Sequence, residues 1–450
     1  MPVRKIDARL KPVFDQVLQR SPDQPEFHQA AHEVLSSLGP VADARPELFG
    51  SALLQRLCEP ERVVSFRVPW TDDAGVVHVD RGYRVEFNSA LGPYKGGLRF
   101  HRSVTEGVLK FLAFEQIFKN ALTGLLIGGG KGGATFDPHG RSDGEVMRFC
   151  QSLMTELYRH LGEHTDVPAG DIGVSEREIG FLFGQYRRIT NRYEAGTFTG
   201  KGVDWGGAHG RVEATGYGAV YFLEAALSER GEKAAGRTCV VSGSGNVATY
   251  AIEMMHELGA RVVACSDSGG YLYDADGVDI ALVRQLKEVE RLRLQAYVQR
   301  RPGSSYRPGR SVWDVPAELA IPAATQNEID GVTARQMVEN GLVGIVEGAN
   351  MPCTPQAVAE FLDAGVVFGP GKAANAGGVA VSALEMSQNA ARQKWDRAAT
   401  LEQLRTIMVD IHDRVRTTAV EYGSPGDYVA GANIAGFTDV AQAMLDQGVI

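Results

Sequence analysis

The spacing of hydrophobic residues changes several times along the chain. Positions 21–57 follow a helical period, whereas positions 63–87 alternate between apolar and polar residues and are interrupted by turn residues at 72–75. This pattern predicts N-terminal helices followed by two or three strands. The segments 103–106 and 142–145 both fit the capping box, in which a serine and a glutamate three positions later begin a helix.

A second pattern follows a glycine-rich stretch at 196–210, which we interpret as a linker or hinge before a new domain. An apolar run at 238–241, a glycine turn at 243–248, a helix and a further strand at 261–266 predict a βαβ unit. The charged segment 287–310 is expected to be mostly helical and solvated. Further apolar runs predict that a parallel sheet continues at 319–321, 343–346 and 366–368.

Composition and charge narrow the class of protein. Hydrophobic residues form 44% of the chain, which is enough to build large cores. The net charge of −9 argues against nucleic acid as a main partner. The longest run without charged residues, 238–252, is shorter than the roughly 20 residues of a membrane-spanning helix, and no signal peptide is evident. The five cysteines form no C-x-x-C pair, so we expect reduced thiols in a cytoplasmic protein.

The glycine turn fits a dinucleotide-binding loop, because small residues there allow a pyrophosphate to approach the N-terminus of the following helix. Asp267 ends the next strand. By the usual rule, an acid at that place binds the ribose 2′-hydroxyl and indicates NAD. The residues of the turn are Gly243, Gly245 and Ala248 at the small positions, with Asn246 and Val247 beside them.

Lysines in two glycine-rich loops are the main candidates for chemistry. Lys131 lies in the run 128–133, which is not a nucleotide-binding phosphate loop, because Leu125 and Gly132 occupy positions that require Gly and Ser or Thr. Lys131 is therefore either a lysine of lowered pKa beside a substrate or an exposed hairpin lysine. Lys95 lies in a similar loop.

Gln116 and Lys119 are predicted on one face of a helix, where they present an amide and an ammonium together. With Lys95 and Lys131 they suit a dicarboxylate substrate, although each lysine alone is more typical of a solvated surface. Their joint occurrence with glycine-rich loops favours the functional interpretation.

Other polar groups are weaker candidates. Asp171 lies in a loop at 167–173, where an acid commonly caps a turn. His160 and His164 are separated by Gly162 and have no suitably spaced third ligand, so no metal site is expected. The chain has no G-x-S-x-G motif, and Ser-His-Asp hydrolysis is unsupported.

Several long blocks carry a resemblance to one enzyme family. They are GPYKGGLRFH at 92–101, KFLAFEQIFKNALTG at 110–124, GGGKGG at 128–133, TDVPAGDIGV at 165–174, EATGYG at 213–218, SGSGNVA at 242–248, EGANMP at 347–352 and GPGKAANAGGVA at 369–380. These blocks resemble the glutamate dehydrogenases, and the similarity extends over nearly the whole chain. It is strongest to the bacterial NADP-type hexameric branch of the Glu/Leu/Phe/Val dehydrogenase family.

The resemblance implies an α/β protein of two domains with a deep cleft between them. Residues 1–205, completed by about 382–450, form a substrate-binding and oligomerisation domain, and residues 206–381 form a Rossmann-like NAD(P)-binding domain. It also implies a homohexamer that catalyses the reversible reductive amination of 2-oxoglutarate with ammonia to L-glutamate, with NADPH as hydride donor.

The resemblance also assigns roles to individual positions. Lys131 and Asp171 match the catalytic residues, which move protons at the 2-carbon. The positions matching substrate contacts are Lys95 and Ser382 for the side-chain carboxylate, and Gln116, Lys119 and Gly170 for the 2-carboxylate and carbonyl. The positions matching cofactor contacts are Thr215, Asn246, Asn350 and Asn375, beside Gly243, Gly245, Val247 and Asp267.

Two arguments disagree about the nicotinamide cofactor. Asp267 indicates NAD(H), whereas the resemblance implies NADP(H), which we favour with NAD(H) as the alternative. The 2′-phosphate is then expected on Ser266 or Ser268 and on a basic residue from Arg284 to Arg293. The chain departs from the family pattern at Arg102, at Cys353 and, near the cofactor phosphates, at Ala208 and His209.

Two other functions compete with this interpretation. A related dehydrogenase of leucine, valine or phenylalanine lacks the lysine that pairs with a side-chain carboxylate, so Lys95 and Ser382 favour glutamate. A catalytically silent dinucleotide-binding regulator keeps the fold without the chemistry. The presence of both Lys131 and Asp171 weighs against such a regulator.

Overall fold

The computed structural model describes residues 4–450. The chain divides into two units, which we call the first and the second unit. The first unit comprises Lys5–Arg211, Val379–Thr400 and Asn433–Ile450, and the second comprises Val212–Gly378 and Leu401–Ala432 together with Arg4. Each unit contains helices and one sheet, which confirms the predicted two-domain α/β fold. The division falls after Arg211 rather than after residue 205.

The first unit is built on a five-stranded sheet. Its strands are β1 Arg62–Thr71, β2 Val77–Asn88, β3 Tyr94–Phe100, β4 Gly129–Ala134 and β5 Asp166–Gly170. Its helices up to residue 211 are α1 Lys11–Arg20, α2 Pro25–Ser37, α3 Gly39–Ala44, α4 Leu53–Leu57, α5 Glu106–Leu122, α6 Asp143–Leu157 and α7 Glu176–Thr190.

The strand order of this sheet is β1-β2-β4-β3-β5. β1 pairs with β2 and β2 with β4 in antiparallel fashion, whereas β3 is parallel to both β4 and β5. β4 therefore lies between two strands that are consecutive in sequence. The predicted strands on either side of the turn at 72–75 are confirmed, and Asp72 N–H donates to Val76 O across that turn (2.9 Å).

One of the two predicted helix starts is wrong by two residues. α5 is capped by Thr105, whose hydroxyl accepts from Val108 N–H (3.2 Å), and not by Ser103. The Ser103 hydroxyl instead bonds to His101 Nδ1 (2.7 Å). Thr105 has the extended backbone that an N-cap needs, so it begins the helix in place of the serine.

The second predicted start is confirmed. Ser142 Oγ accepts from Glu145 N–H (3.1 Å), and the Glu145 carboxylate accepts from Ser142 N–H (2.9 Å). This reciprocal box fixes the first turn of α6. The helix then packs its apolar face, including Phe149 and Leu153, into a core shared with Trp70 of β1.

The second unit contains a seven-stranded sheet. Its strands are β6 Thr238–Val241, β7 Arg261–Asp267, β8 Gly270–Tyr273, β9 Ser305–Pro308, β10 Leu319–Ile321, β11 Gly344–Val346 and β12 Val367–Gly369. Its helices up to residue 376 are α8 Ala214–Glu229, α9 Asn246–Glu257, α10 Ile280–Arg284, α11 Gly331–Glu339, α12 Pro355–Asp363 and α13 Gly371–Ala374.

The order of this sheet is β12-β11-β10-β6-β7-β8-β9. The five strands from β12 to β7 are parallel, and β8 and β9 extend the sheet in antiparallel fashion. The predicted βαβ unit is confirmed as β6, α9 and β7, and the three later apolar runs are β10, β11 and β12. In the sheet, β6 lies between β7, the next strand in the chain, and β10. The strand order therefore reverses at β6.

The segment 287–310 is mostly not a regular helix, which contradicts the prediction. It includes part of a π-helical turn at Gln285–Val289, a 3₁₀-helix at Leu294–Gln299 and the strand β9. Leu294 N–H donates to the Asp267 carboxylate (3.0 Å), a tertiary bond that a continuous helix would replace. The anchoring of this segment to the end of β7 therefore overrides its helical composition.

Three long helices complete the chain: α14 Gly377–Ala390, α15 Arg397–Glu421 and α16 Tyr428–Asp446. Residues 401–432 belong to the second unit, which differs from the predicted return of the whole segment 382–450 to the first domain. The physical reason is local packing, because His412 of α15 and Tyr428 of α16 contact the ring of Phe222 in α8. Over residues 4–450, no helix is both long and apolar enough to cross a membrane.

Candidate active site

Lys131 and Asp171 form an ion pair in the first unit. Lys131 Nζ lies 3.0 Å from Asp171 Oδ1, and the other carboxylate oxygen accepts from Arg99 Nε at 2.6 Å. The Lys131 side chain is only 5% exposed, so it is not the exposed hairpin lysine that the sequence alone left open. The pair combines an ammonium and a carboxylate in a sheltered place, which is the arrangement that proton transfer requires.

Burial and the neighbouring charges have opposite effects on the pKa of each residue of this pair. Burial lowers the pKa of Lys131, while the neighbouring Asp171 carboxylate opposes that effect. Burial alone would raise the pKa of Asp171, but the attraction of Lys131 and Arg99 outweighs it and holds the pKa well below its usual range. Asp171 is therefore ionised at neutral pH.

The backbone around Asp171 explains how the pair is held. Asp171 O accepts from Val174 N–H (2.9 Å) and so closes a tight turn directly after β5. The sequence left open that Asp171 caps a turn. The turn is present, but the Asp171 side chain bonds to Lys131 and Arg99. On β3, a Cβ at Gly97 would lie 2.8 Å from the Asp171 Cβ, so glycine at this place makes room for the acid.

Lys95 is buried two residues before Gly97 on the same strand. It is 1% exposed, and its Nζ donates to Thr199 Oγ1 (2.7 Å) and to Val167 O (3.2 Å). Burial, followed by the nearby cation Arg211, lowers the pKa of Lys95 well below its usual range. The bonds inside this pocket use neutral oxygens, so a bound carboxylate is the partner that would restore the favourable charge.

Ser382 lies on α14, and its hydroxyl accepts from Arg211 Nε (2.9 Å). Arg211 is electrostatically coupled to Lys95 and to Asp171. The structure therefore brings Lys95, Asp171 and Ser382 around one guanidinium that the sequence did not single out. Together these groups form a cluster in which positive charge is in excess.

Gln116 and Lys119 lie on α5 as predicted, and Gln116 is buried while Lys119 is partly exposed. Gln116 Nε2 donates to Asn120 Oδ1 (2.6 Å), which leaves its second N–H for another acceptor. Asn120 in turn donates to Lys95 O (3.1 Å), so α5 is connected to the Lys95 strand. Gly170 ends β5 immediately before Asp171.

The glycine turn of the second unit has the form of a dinucleotide loop. Gly243 adopts a φ of 87°, a conformation that favours glycine, and its N–H donates to Ser266 Oγ (2.9 Å). Gly245 then caps α9 with extended backbone, so that Asn246 and Val247 form the first turn of that helix. Thr215 lies in the first turn of α8, which packs against α9.

Asn350 and Asn375 lie beyond the carboxyl ends of β11 and β12. Asn375 Nδ2 donates to Ala349 O (2.8 Å) and to Asn350 Oδ1 (3.2 Å). Asn375 is 5% exposed, and its Oδ1 has no hydrogen-bond donor among the described residues. A buried amide oxygen without a donor is costly, which makes this atom a candidate to accept from a bound ligand.

Asp267 ends β7 as predicted, but its carboxylate is occupied by the protein. It accepts from Gly269 N–H (2.9 Å), Tyr306 OH (2.7 Å) and Leu294 N–H (3.0 Å). Burial alone would raise the pKa of Asp267, but these three bonds hold it below its usual value. The acid that indicated NAD therefore anchors the loop after β7.

Of the basic residues expected near this loop, Arg284 forms an ion pair with an acid of the protein, whereas Arg293 is exposed to solvent. Arg284 is engaged with Glu253 through two bonds of 2.8 Å and stacks on the ring of Tyr250. Arg293 is exposed, and one of its guanidinium nitrogens lies 3.1 Å from where a Cβ of Gly269 would be. Ser268 is exposed beside it, whereas Ser266 is used by the glycine turn.

Sequence reasoning missed two cations of the first unit. Arg99 could have been found, because Lys95, Gly97 and Arg99 alternate along one strand and so share a face. Arg211 follows the glycine-rich stretch, and no period or motif marks it. Its position depends on Ser382, which is distant in the sequence.

The remaining expectations concern metals and the unusual positions. Among residues 4–450, no group of three or more His, Cys, Asp or Glu side chains is placed to hold a metal ion. Arg102 forms an exposed ion pair with Asp137 (3.4 Å). Cys353 is buried, and its N–H donates to Glu347 (3.2 Å).

Comparison with known proteins agrees with this geometry. Residues 206–448 match the family model described as Glutamate/Leucine/Phenylalanine/Valine dehydrogenase, and residues 60–188 match the Glu/Leu/Phe/Val dehydrogenase, dimerisation domain. The chain is 52% identical to an NADP-specific glutamate dehydrogenase of Helicobacter pylori, over 97% of this chain and 99% of that protein. It is 54% identical to the NADP-specific glutamate dehydrogenase of Salmonella typhimurium, over 98% and 99% of the two chains.

A solved structure extends this similarity to three dimensions. The glutamate dehydrogenase of Plasmodium falciparum superposes with a TM-score of 0.95 at 48% identity, covering 98% of this chain and 95% of that one. Two family models, full-length sequence relatives and a matching structure all point the same way. The chain belongs to the Glu/Leu/Phe/Val dehydrogenase family.

Proposed function

We propose that this protein is a glutamate dehydrogenase, which catalyses the reversible reductive amination of 2-oxoglutarate with ammonia to L-glutamate using NADPH. The observation that carries the proposal is the Lys131–Asp171 pair, which interacts with the cation Arg211 beside the buried Lys95. Relatives that are 52% and 54% identical over nearly the full chain are named NADP-specific glutamate dehydrogenases, which supports the same reaction.

Recognition of the substrate rests on charge. The distal carboxylate of 2-oxoglutarate binds Lys95 and Arg211, with Ser382 as a neutral partner, because burial makes an unpaired cation unfavourable and a carboxylate restores the balance. The 2-carboxylate binds Lys119 and the second N–H of the Gln116 amide, and the carbonyl end lies at Gly170. Two fixed carboxylates orient the 2-carbon toward the Lys131–Asp171 pair.

The ion pair supplies the proton transfers. As ammonia adds to the 2-carbon, the Asp171 carboxylate accepts a proton from the nitrogen and the Lys131 ammonium donates one to the oxygen. The protonated Asp171 then returns its proton to that oxygen, which leaves as water, so that an iminium and the Asp171 carboxylate remain. Because burial lowers the pKa of Lys131, it exchanges protons more readily than an ordinary lysine does.

The second unit fits a nicotinamide dinucleotide. Gly243, Gly245 and the N-terminus of α9 would hold the pyrophosphate through backbone N–H groups. The unpaired Oδ1 of Asn375 would accept from the carboxamide of the nicotinamide, with Asn350 beside it. Thr215, Asn246 and Val247 are the further contacts. When bound, NADPH supplies the hydride that the 2-carbon receives.

The preference for NADP over NAD depends on the loop after β7. Asp267 is bonded to three donors of the protein, so its usual role toward a ribose hydroxyl is taken over by the loop. Arg293 and Ser268 are the exposed groups that would bind the 2′-phosphate. This arrangement supports NADP(H), with NAD(H) as the alternative.

Two statements stay predictions from the sequence. Self-association as a homohexamer is supported by the description of the N-terminal family model as a dimerisation domain. A cytoplasmic location is supported by the five cysteines, which are buried free thiols.

The proposed function is tested by initial rates of NADPH oxidation with 2-oxoglutarate and ammonium. We expect fast, ammonium-dependent oxidation of NADPH, and slower oxidation of NADH under the same conditions. Reactions without ammonium and reactions with branched 2-oxoacids are the controls.

Other outcomes would select the alternatives. Preference for branched 2-oxoacids would assign the protein to the leucine, valine or phenylalanine enzymes. Faster oxidation of NADH would mean that Asp267 binds the ribose despite its three bonds. No ammonium-dependent turnover with either cofactor would favour the silent regulator.

A further inference from the structure

The glycine-rich stretch that the sequence predicts as a hinge is tied to α14. Gln388 Nε2 donates to Gly207 O (2.9 Å) and Asn389 Nδ2 donates to Gly206 O (2.7 Å). Earlier in the stretch, the carboxylate of Glu385 makes further bonds. Side chains on one face of α14 therefore bond to this segment at several positions. These bonds restrict the movement that a hinge would need.

Glu385 is the centre of these ties. Its carboxylate accepts from Gly200 N–H (3.0 Å), from Lys201 N–H (3.4 Å) and from Lys201 Nζ (2.6 Å). The side chains of Glu385 and Lys201 are both completely buried. One acid thus fixes two consecutive backbone N–H groups and one ammonium.

The residue just before this pair of amides contacts the substrate pocket. Thr199 donates its N–H to Pro168 O (3.1 Å), and its hydroxyl accepts from Lys95 Nζ (2.7 Å). Because Gly200 is held by Glu385, the path of the chain at Thr199 is set from both sides. The hydroxyl that orients the Lys95 ammonium is consequently positioned by an acid that does not touch Lys95.

Glu385 also lies one helical turn after Ser382 on α14. It is electrostatically coupled to both cations of the pocket: burial lowers the pKa of Lys95 and that of Arg211, and the Glu385 carboxylate acts against this in each case. The same acid therefore helps to keep both cations charged for an incoming carboxylate.

Stability alone does not account for this ion pair. Burying two charges has a large desolvation cost, and an apolar pair of similar volume often stabilises a fold as well or better. What an apolar pair cannot do is accept from Gly200 N–H and Lys201 N–H. The contact pattern thus points to the placing of the backbone next to Thr199.

We propose that Glu385 is a positioning residue for substrate recognition, which through Gly200 and Lys201 holds Thr199 against Lys95 so that the Lys95 ammonium meets the distal carboxylate. The inference rests on the proposed function and names the residue that prepares its carboxylate pocket. It predicts that loss of Glu385 weakens the binding of dicarboxylate substrates and leaves the binding of substrates without the distal carboxylate nearly unchanged.

The test compares E385Q with the unaltered enzyme on 2-oxoglutarate and on 2-oxovalerate, which has an apolar end. The amide keeps the shape of the acid but directs an NH₂ group at donors. We expect the KM for 2-oxoglutarate to rise about tenfold, with kcat changed less than about threefold and kcat/KM for 2-oxovalerate within about twofold. A purely structural residue would change both substrates alike.

A double-mutant cycle with T199V identifies the route. If Glu385 acts through Thr199, E385Q and T199V each raise the KM for 2-oxoglutarate, and the double variant E385Q/T199V is no worse than the stronger single one. Multiplicative effects, near 100-fold in the double variant if each single change gives about tenfold, would overturn the route. An unchanged KM in T199V would overturn it as well.

The matched control is N389A, which removes a different tie between α14 and the same stretch. We expect the KM for 2-oxoglutarate within about twofold in N389A. If E385Q does not fold, E385D takes its place, since the shorter acid keeps the charge but withdraws from Gly200 N–H, and the same selective rise is expected. Failure of the proposed function is distinct, because the unaltered enzyme would then show no ammonium-dependent turnover.

Discussion

In the first unit, the charged side chains of the proposed substrate site are mostly buried, whereas in the second unit the arginine proposed to bind the 2′-phosphate is exposed. Arg84 and Asp166 form a completely buried pair across the first sheet, and Lys131 and Lys95 are almost as inaccessible. In the second unit, Arg293 is exposed. The turn there offers backbone groups and a helix N-terminus.

This difference follows from the two ligands proposed for the units. A small dicarboxylate has little surface apart from its charges, so its recognition needs cations whose own hydration has already been removed. A dinucleotide is larger and gains affinity over many contacts, which backbone N–H groups provide without buried charge. Single side-chain changes should therefore have large effects in the first unit and smaller ones in the second.

The largest effect is expected for Asp171→Asn. The amide cannot accept the proton from the nitrogen, so kcat should fall by about 10²–10⁴-fold, the usual share of a general base. NADPH affinity, measured by fluorescence titration, should stay nearly unchanged, because the change is confined to the first unit. Asp137→Asn is the control, since that acid pairs with exposed residues. Retained turnover in Asp171→Asn would remove this residue from the mechanism.

A smaller but selective effect is expected for Lys95→Leu. Loss of one buried cation should lower kcat/KM for 2-oxoglutarate by roughly 10²-fold and shift preference toward apolar 2-oxoacids. Lys110→Leu is a matched control, because Lys110 is also a buried lysine of this unit but bonds to Ser21 (2.9 Å) and lies over the ring of Phe27. Lys110→Leu should reduce thermal stability without altering the ratio of the two substrates. Unchanged kinetics in Lys95→Leu would contradict its assignment.

The smallest of the three effects is expected in the second unit, for Arg293→Ala. Removing one exposed charged contact to the 2′-phosphate should raise the KM for NADPH by about tenfold, while the KM for NADH changes less than about twofold. Arg310→Ala is the control, because that arginine is 71% exposed and pairs only loosely with Asp314. Equal changes for both cofactors in Arg293→Ala would place the phosphate elsewhere and weaken the comparison.

Much of the fold follows from local patterns in the sequence. The β1–β2 turn, the Ser142 box and the β6-α9-β7 unit are all encoded by neighbouring residues, and all three are present as predicted. These features depend on interactions over a few positions, which a single sequence displays.

What the sequence did not reveal depends on distant partners. Arg211 acquires its place from Ser382, and Asp267 loses its expected role to Leu294 and Tyr306. Residues 401–432 pack on α8 rather than with the rest of the C-terminal segment. In each case the outcome depends on a tertiary contact between residues that are distant in the sequence.

The position of β4 between β2 and β3 has a consequence for how the protein folds. β2 and β3 are not neighbours in the sheet, because β4, which carries Lys131 and follows α5 in the chain, lies between them. Such an insertion is non-local and so belongs to the slower steps of folding. The reactive lysine is thus assembled only when the sheet is complete, and recovery of turnover during refolding reports on the closing of that sheet.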